Sequence, residues 1–358
     1  MRRLPTALAA VSLLLLSACS SSSTATPTPA PTPAGPAPAA SAGAGAGTVA
    51  TAAECAPGAG PATSPYPGWP VPGRAQATGD MIPYIVSTQS VVGQSRFLFS
   101  LISSSNEVLA AADVPVTAEF YNLAADPATP VATIDAPYLD PGNGTGRGLY
   151  RTNVDFTCAG EWGLRVSAQL PAPSGSPAGA SPQAVTASVI FDVLPAGTVP
   201  AIGSAAPQSD SLTATTLDEV KKISTDDDPD LDFYSHTIKQ AVTSGKPSAI
   251  LFATPAFCQT ATCGPTLDHV KAIAKDFKEQ VIFVNVEPYQ LKETPNGLQP
   301  ALDADGHLQP VQAVTEWGLP TEPYLFIVDK DGKVFAEFEG ILGEDEVRAA
   351  LMDVTAAS

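Results

Sequence analysis

The sequence predicts a multidomain chain in which an all-β antiparallel sandwich precedes an α/β domain, with a signal peptide and a disordered tether in front. Three observations predict it. Apolar and polar residues alternate at period two between Phe97 and Val193, the pattern of strands with one face in a core. From Gly245 onward, short apolar runs alternate with segments of helical spacing, as in an α/β unit. Residues 19–65 carry almost no charge and almost no large apolar side chain, so burial cannot offset their ordering entropy. The chain divides accordingly into 1–18, 19–65, 66–195, 196–211 and 212–356.

At the N-terminus, Arg2 and Arg3 precede an apolar run from Leu4 to Leu16. That run is too short for a transmembrane helix, which needs about 20 residues. Leu16, Ser17, Ala18 and Cys19 together resemble the cleavage box of bacterial lipoproteins. The resemblance implies that Cys19 becomes the mature N-terminus and carries lipid on its sulfur and amine. Multiple acyl chains would anchor the protein on the extracytoplasmic face of the cell membrane. The Ala-, Pro- and Ser-rich stretch to residue 65 is then a partly extended tether.

In 66–195, Phe97, Phe99 and Leu101 alternate with Leu98, Ser100 and Ile102, and Val116, Ala118 and Phe120 repeat the period. Tyr150, Thr152, Val154 and Phe156 line one side of a strand whose other side is Arg151, Asn153, Asp155 and Thr157. Trp162, Leu164, Val166 and Ala168 follow, then Ala187, Val189, Phe191 and Val193. One polar face per strand, with turn-rich inserts such as Asp140 to Gly144, is the signature of an antiparallel sandwich. The passages Gly148 to Tyr150 and Gly160 to Leu164 resemble immunoglobulin-like modules of exported bacterial proteins, a likeness that implies an architecture and no catalytic site. Residues 196–211 read as a small-residue linker.

Charge is concentrated beyond residue 195, with 25 acidic against 11 basic side chains there. Such a surface repels nucleic acid, which is excluded as a partner. The run Asp226 to Asp228 lacks the further ligands of a calcium loop and reads as a solvated cap. Asp228 and Asp230 flank Pro229 at the start of a predicted helix bearing Leu231, Tyr234, Ile238 and Val242.

The chemistry-bearing stretch is Cys258 to Cys263. A helix-ending Gly245 and an apolar strand through Ala249, Ile250, Leu251 and Phe252 lead to Cys258, and Leu267, Val270, Ile273 and Phe277 recur downstream at helical spacing. A cysteine at a helix N-terminus lies at the positive end of the backbone dipoles, which favours the thiolate. Val281 to Val286 reads as the next strand, Val311 to Trp317 as a short helix, and Glu322 to Asp329 as a strand opened by Pro323. Asp329 to Gly332 turns into Lys333 to Phe338, and Val347, Leu351 and Val354 mark a last helix. This order resembles the thioredoxin superfamily over roughly 212–356.

The resemblance implies a thiol-disulfide oxidoreductase acting on exported protein thiols or disulfides, with Cys258 and Cys263 as the redox pair, Pro323 as a cis-proline beside them, and no cofactor or metal. The usual spacing is two residues, whereas four separate these cysteines. In one unbroken helix their Cα atoms would stand about 8 to 9 Å apart, beyond disulfide reach. Either Cys258 precedes the helix or the helix unwinds on oxidation. Gly264 and Pro265 fit a helix start or an internal kink. A rival alignment makes Cys263, Gly264, Pro265 and Thr266 the motif, with its second thiol replaced; the distance from Phe252 and the aromatic Phe257 favour Cys258 as nucleophile.

The family's buried acid before the cysteine is absent. Glu322 is either a proton relay beside the thiols, opposing thiolate formation, or a solvated loop residue. Cys55 and Cys158 remain, and an oxidising compartment permits them to form a structural disulfide. Two other families use the same fold. Sco-type copper chaperones add a histidine to two cysteines, for which His236, His269 and His307 are the choices, His307 within a polar insert from Leu291 to Gln309. The peroxiredoxin Q class shares the four-residue spacing but needs a threonine and an arginine, where Thr254 is one position early and Arg348 lies near the chain end. A non-catalytic scaffold, its cysteines only structural, is the third alternative.

Overall fold

The computed structural model describes residues 64–142, 146–172, 179 and 181–357. The signal peptide, the tether, Cys19 and Cys55 lie outside the described residues. Among the described residues no helix is long and apolar enough to cross a membrane.

The N-terminal half is built from β1 (Ala75–Ala77), β2 (Ile82–Ile85), β3 (Gly93–Ile102), β4 (Val116–Asn122), β5 (Ala132–Asp135), β6 (Tyr138–Leu139), β7 (Leu149–Phe156), β8 (Gly160–Leu170) and β9 (Gln183–Val193). Two antiparallel sheets result, ordered β1-β9-β8-β4-β5 and β2-β3-β7-β6. Their inner faces enclose one core. In β7 the alternation is realised, with Tyr150, Thr152, Val154 and Phe156 buried and Asn153 and Asp155 exposed. Across the core, Phe97 meets Phe120 edge-on at 5.2 Å and Phe156 meets Trp162 at 5.0 Å. The Tyr150 hydroxyl donates to the Val114 carbonyl at 2.9 Å, so its one polar atom is satisfied inside. On β8, Gly163 leaves room for Trp69; a Cβ there would lie 2.3 Å from the indole ring.

In β3 the expected polar face is buried instead. Leu98 is 1 % exposed, because Leu98, Leu139 and Leu149 cluster with Val86 and with Ile341 from the far end of the chain, and Ser100, 7 % exposed, donates its hydroxyl to the Gly148 carbonyl at 2.9 Å. Ile341 of the C-terminal half covers part of this face.

That half comprises α1 (Leu217–Val220), a 3₁₀ turn (Leu231–Tyr234), α2 (Ile238–Val242), β10 (Ser248–Phe252), α3 (Cys263–Ala274), β11 (Ile282–Val286), β12 (Leu291–Thr294), β13 (Gly297–Pro300), α4 (Gln312–Glu316), β14 (Tyr324–Val328), β15 (Val334–Glu339) and α5 (Glu344–Ala356). Its main sheet is ordered β11-β10-β14-β15, parallel between β10 and β11 and antiparallel elsewhere. Helices cover both faces. Ala249 and Leu251 point to a core shared with Leu267 of α3 and Leu351 of α5, while Ile250 and Phe252 point to one shared with Ile238 and Trp317. Burial on both faces explains why β10 reads as an unbroken apolar run rather than an alternation. The polar insert 291–309 begins as the hairpin β12-β13.

Two expectations are corrected. The single helix expected across Leu231 to Val242 is broken after Tyr234: Asp230 caps the 3₁₀ turn, and Thr237 with Gln240 forms a capping box that restarts the chain as α2. Asp226 is not a solvated cap but is 8 % exposed and held by Lys271 Nζ at 2.9 Å. Within the segment 196–211, residues 203 to 206 run beside the start of β15, with Gly203 N donating to Val334 O at 2.7 Å and Ala206 N to Gly332 O at 2.9 Å.

The two halves share a charged seam. Arg96 of β3 donates to both Glu346 carboxylate oxygens, at 2.8 and 2.6 Å, and to the carbonyls of Glu339 and Ile341 at 2.9 and 2.6 Å. Arg151 of β7 pairs with Glu346 at 2.9 Å and with Asp345. Bidentate, multiply bonded arginines of this kind fix geometry as well as charge.

Candidate redox site

The buried strand β10 ends at Phe252 and carries the chain through Thr254 and Pro255 to Cys258, in the turn before α3. Cys263 is the first residue of α3, and the helix begins without a side-chain cap from Thr262. The free amide of Cys263 instead donates to Cys258 Sγ at 3.1 Å. Helix N-termini leave such donors unpartnered, and sulfur at this position receives one.

Cys258 and Cys263 form a disulfide with Cα atoms 5.9 Å apart. In this disulfide-bonded form Cys258 precedes α3. The reversal that permits it passes through Ala261, whose φ is 59°, a left-handed conformation rare for a residue with a Cβ. Gly264 and Pro265 occupy the second and third positions of α3, so the proline's missing N–H falls among the helix's unpaired amides and no kink results. The two sulfurs differ in access, since Cys258 is half-buried whereas Cys263 is 0 % exposed and packs with Leu267.

Glu322 lies beside them, 6 % exposed, at the head of β14. Its Oε1 accepts from Gln259 N at 2.9 Å and its Oε2 from the Tyr289 hydroxyl at 2.8 Å. Tyr289 in turn accepts from Gln259 Nε2 at 3.0 Å. Burial first, then the hydrogen bond and charge of Glu322, push the Tyr289 phenol up to about 12. One ligand-type atom from each of Cys258, Cys263 and Glu322 lies within 4.8 Å of the others. The Glu322–Pro323 peptide bond is cis. Of the two readings of Glu322, the solvated one is not what the chain adopts.

The remaining candidates lie apart. His236 contacts Ser235, His269 faces Glu344 at 3.7 Å, and His307 faces Asp303 at 3.3 Å. Among the described residues no histidine joins the cysteines in a metal-sized cluster. Arg348 is engaged by Glu344 and Asp276, both at 2.7 Å, and Thr254 is buried at the end of β10. Cys158 is disulfide-bonded, and Asn122 Nδ2 donates to its sulfur at 3.4 Å.

Sequence reasoning missed Glu287, which follows β11 and is 6 % exposed. Burial pushes its carboxyl up, opposed by hydrogen bonds from Thr225 and Ser224. Thr225 Oγ1 donates to Glu287 at 2.6 Å and accepts from Ala256 N at 3.2 Å, which ties this acid to the cysteine-bearing turn. Its only sequence signal is an acid directly after an apolar strand and before Pro288.

No family model matches the sequence, and no curated protein matches it. Among solved structures, the chain is similar to that titled "Structure of MTB dsbF in its mixed oxidized and reduced forms". Identity is 22 %, the match covers 34 % of this chain and 89 % of that one, and the TM-score is 0.25. A likeness that loose carries no functional statement for this chain.

Proposed function

We propose that the protein is an extracytoplasmic, lipid-anchored thiol-disulfide oxidoreductase in which a thioredoxin-like domain carries the redox pair and an immunoglobulin-like sandwich carries the domain. The observation that supports it is the asymmetry of the disulfide. Cys258 is reachable and its sulfur receives the first helix amide at 3.1 Å, whereas Cys263 is enclosed. An attacking thiol needs access and a stabilised negative charge; a resolving thiol needs only proximity.

In the forward direction the Cys258 thiolate attacks one sulfur of a client disulfide. A Cys258–client bond forms, the client S–S bond breaks, and the second client sulfur leaves as a thiolate that takes up a proton. Cys263, losing its proton, then attacks Cys258 Sγ. The internal disulfide forms and the first client sulfur departs with its bonding pair and a proton. The client is reduced by two electrons and the protein oxidised by two; the reverse sequence oxidises a client dithiol. Glu322 is the proposed proton relay, near both sulfurs and bonded to Tyr289. Pro323 shapes the surface that meets the client backbone. Lipid on Cys19 and a Cys55–Cys158 bridge complete the proposal outside the redox domain.

Trapping tests it. The Cys263→Ser chain, exposed to exported proteins, should accumulate mixed disulfides through Cys258 that dithiothreitol releases. If Cys258→Ser traps instead, the roles are reversed; if neither traps and the disulfide resists a glutathione buffer, it is structural and the chain is a scaffold.

A further inference from the structure

The outer face of the β2-β3-β7-β6 sheet is only partly covered by the C-terminal half. Beyond Leu98 and Ile341, an apolar strip continues over Tyr84, Ile102 and Val108. Tyr84 is 57 % exposed, and Ile102 and Val108 are half-buried. Together they line a groove of about 420 Å³ whose other wall is Thr262, the residue before Cys263.

The groove adjoins the redox site through Thr262. Thr262 Oγ1 lies 2.8 Å from Thr260 Oγ1, which lies 3.3 Å from Cys258 Sγ. On the sandwich side, a Cβ added to Gly142 would stand 3.5 Å from the Pro265 side chain in the first turn of α3. Arg147 is the one charged residue of the lining, although the C-terminal half is strongly acidic. A short, mainly apolar trough with one charged side chain in its lining, next to a reactive sulfur, fits an extended apolar segment.

We propose that this groove seats the apolar residues flanking a client's cysteine while that cysteine is joined to Cys258, so that the β-sandwich forms one wall of the client site. The inference rests on the thiol-exchange reading and adds a partner chemistry to it. Tyr84, exposed on a short strand, then serves as a rigid aromatic anchor in the trough.

The test uses the full chain, pre-reduced, against three probes: hydroxyethyl disulfide, a cyclic disulfide peptide whose cysteines are flanked by leucines, and the same peptide flanked by serines. The second-order rate constant should favour the leucine peptide by about tenfold, the effect of one well-seated apolar contact. Tyr84→Ala and Tyr84→Asp should abolish that preference and leave the hydroxyethyl disulfide rate unchanged. A preference that survives both substitutions, a wild-type chain that shows none, or a parallel fall on all three probes each overturns the groove. If the wild-type chain leaves even hydroxyethyl disulfide intact, the redox reading itself fails and the groove with it.

Discussion

Glu337 should make the folded chain less stable as pH rises through neutrality. It stands on β15 two residues before Glu339, beside a cavity of about 70 Å³ that both line with Arg96 and Tyr324. Its Oε2 is buried without a hydrogen-bond partner. Burial first, then the charge of Glu339, push its carboxyl up to about 7 from 4.5. Glu339 is raised as well, by burial, against the opposing hydrogen bonds of Thr88 and the charge of Arg96. A raised carboxyl means that the folded state holds its proton where the unfolded state has lost it. The stabilising contribution is therefore complete below the unfolded value and lost as pH climbs through the folded one. Each pH unit of difference is worth about 1.4 kcal/mol, so the loss attributable to Glu337 is about 3 kcal/mol.

The perturbation is Glu337→Gln, which keeps the shape and removes the titration. Urea midpoints of both chains, with the disulfide oxidised, are compared from about pH 4.5 to about pH 8.5. Taking the difference cancels the carboxylates that Glu337 does not interact with. Glu346 in particular has the opposite slope, for although burial opposes it, the hydrogen bonds and charge of Arg96 hold its carboxyl low. The difference should move in favour of the glutamine chain by about 3 kcal/mol across the range. Parallel curves would refute the reasoning, since they require Glu337 to titrate alike in both states.

Two further outcomes follow from the same geometry. Arg96→Ala strips Glu346 of its bidentate partner and two carbonyls of their donor, so the denaturation midpoint should report a loss of about 3 kcal/mol; a loss below about 1 kcal/mol would mean that the seam behaves as an exposed ion pair. Glu322→Gln removes a negative charge beside two sulfurs, so the pH profile of Cys258 alkylation in the reduced chain should move to lower pH; an unchanged profile removes the relay.

What the sequence disclosed was local. β7 and β8 announced their buried sides by period two, and Leu267, Val270 and Ile273 announced the inner face of α3, because those patterns reflect each element's own geometry. What it withheld depends on partners distant along the chain. Asp226 looked like part of a solvated acidic run, and only the fold brings Lys271 to it. Leu98 looked like part of the outward side of β3 until Ile341 arrived. Glu287 carries no periodic signature, and the break after Tyr234 is decided by two competing caps that a count of apolar spacing overlooks. At the candidate site the cysteines and Glu322 were visible as residues. That Cys258 precedes α3, and that Glu322 is enclosed with Tyr289, were not.

The wide cysteine spacing and the enclosed carboxylate belong together. Four residues must be folded between the sulfurs, one of them in a left-handed conformation that costs roughly 1–2 kcal/mol for a residue with a Cβ. The contacts that hold that loop converge on one residue: Gln259 N on the Glu322 carboxylate, Thr260 Oγ1 on its carbonyl at 3.0 Å, and Gln259 Nε2 on the Tyr289 that the carboxylate orients. Glu322 is thus a scaffold for the loop before it is anything else. A glutamine there retains an acceptor for Gln259 and a polar group for Tyr289, so it isolates the charge from the scaffold. Alanine removes both and would report on loop geometry, not on proton transfer.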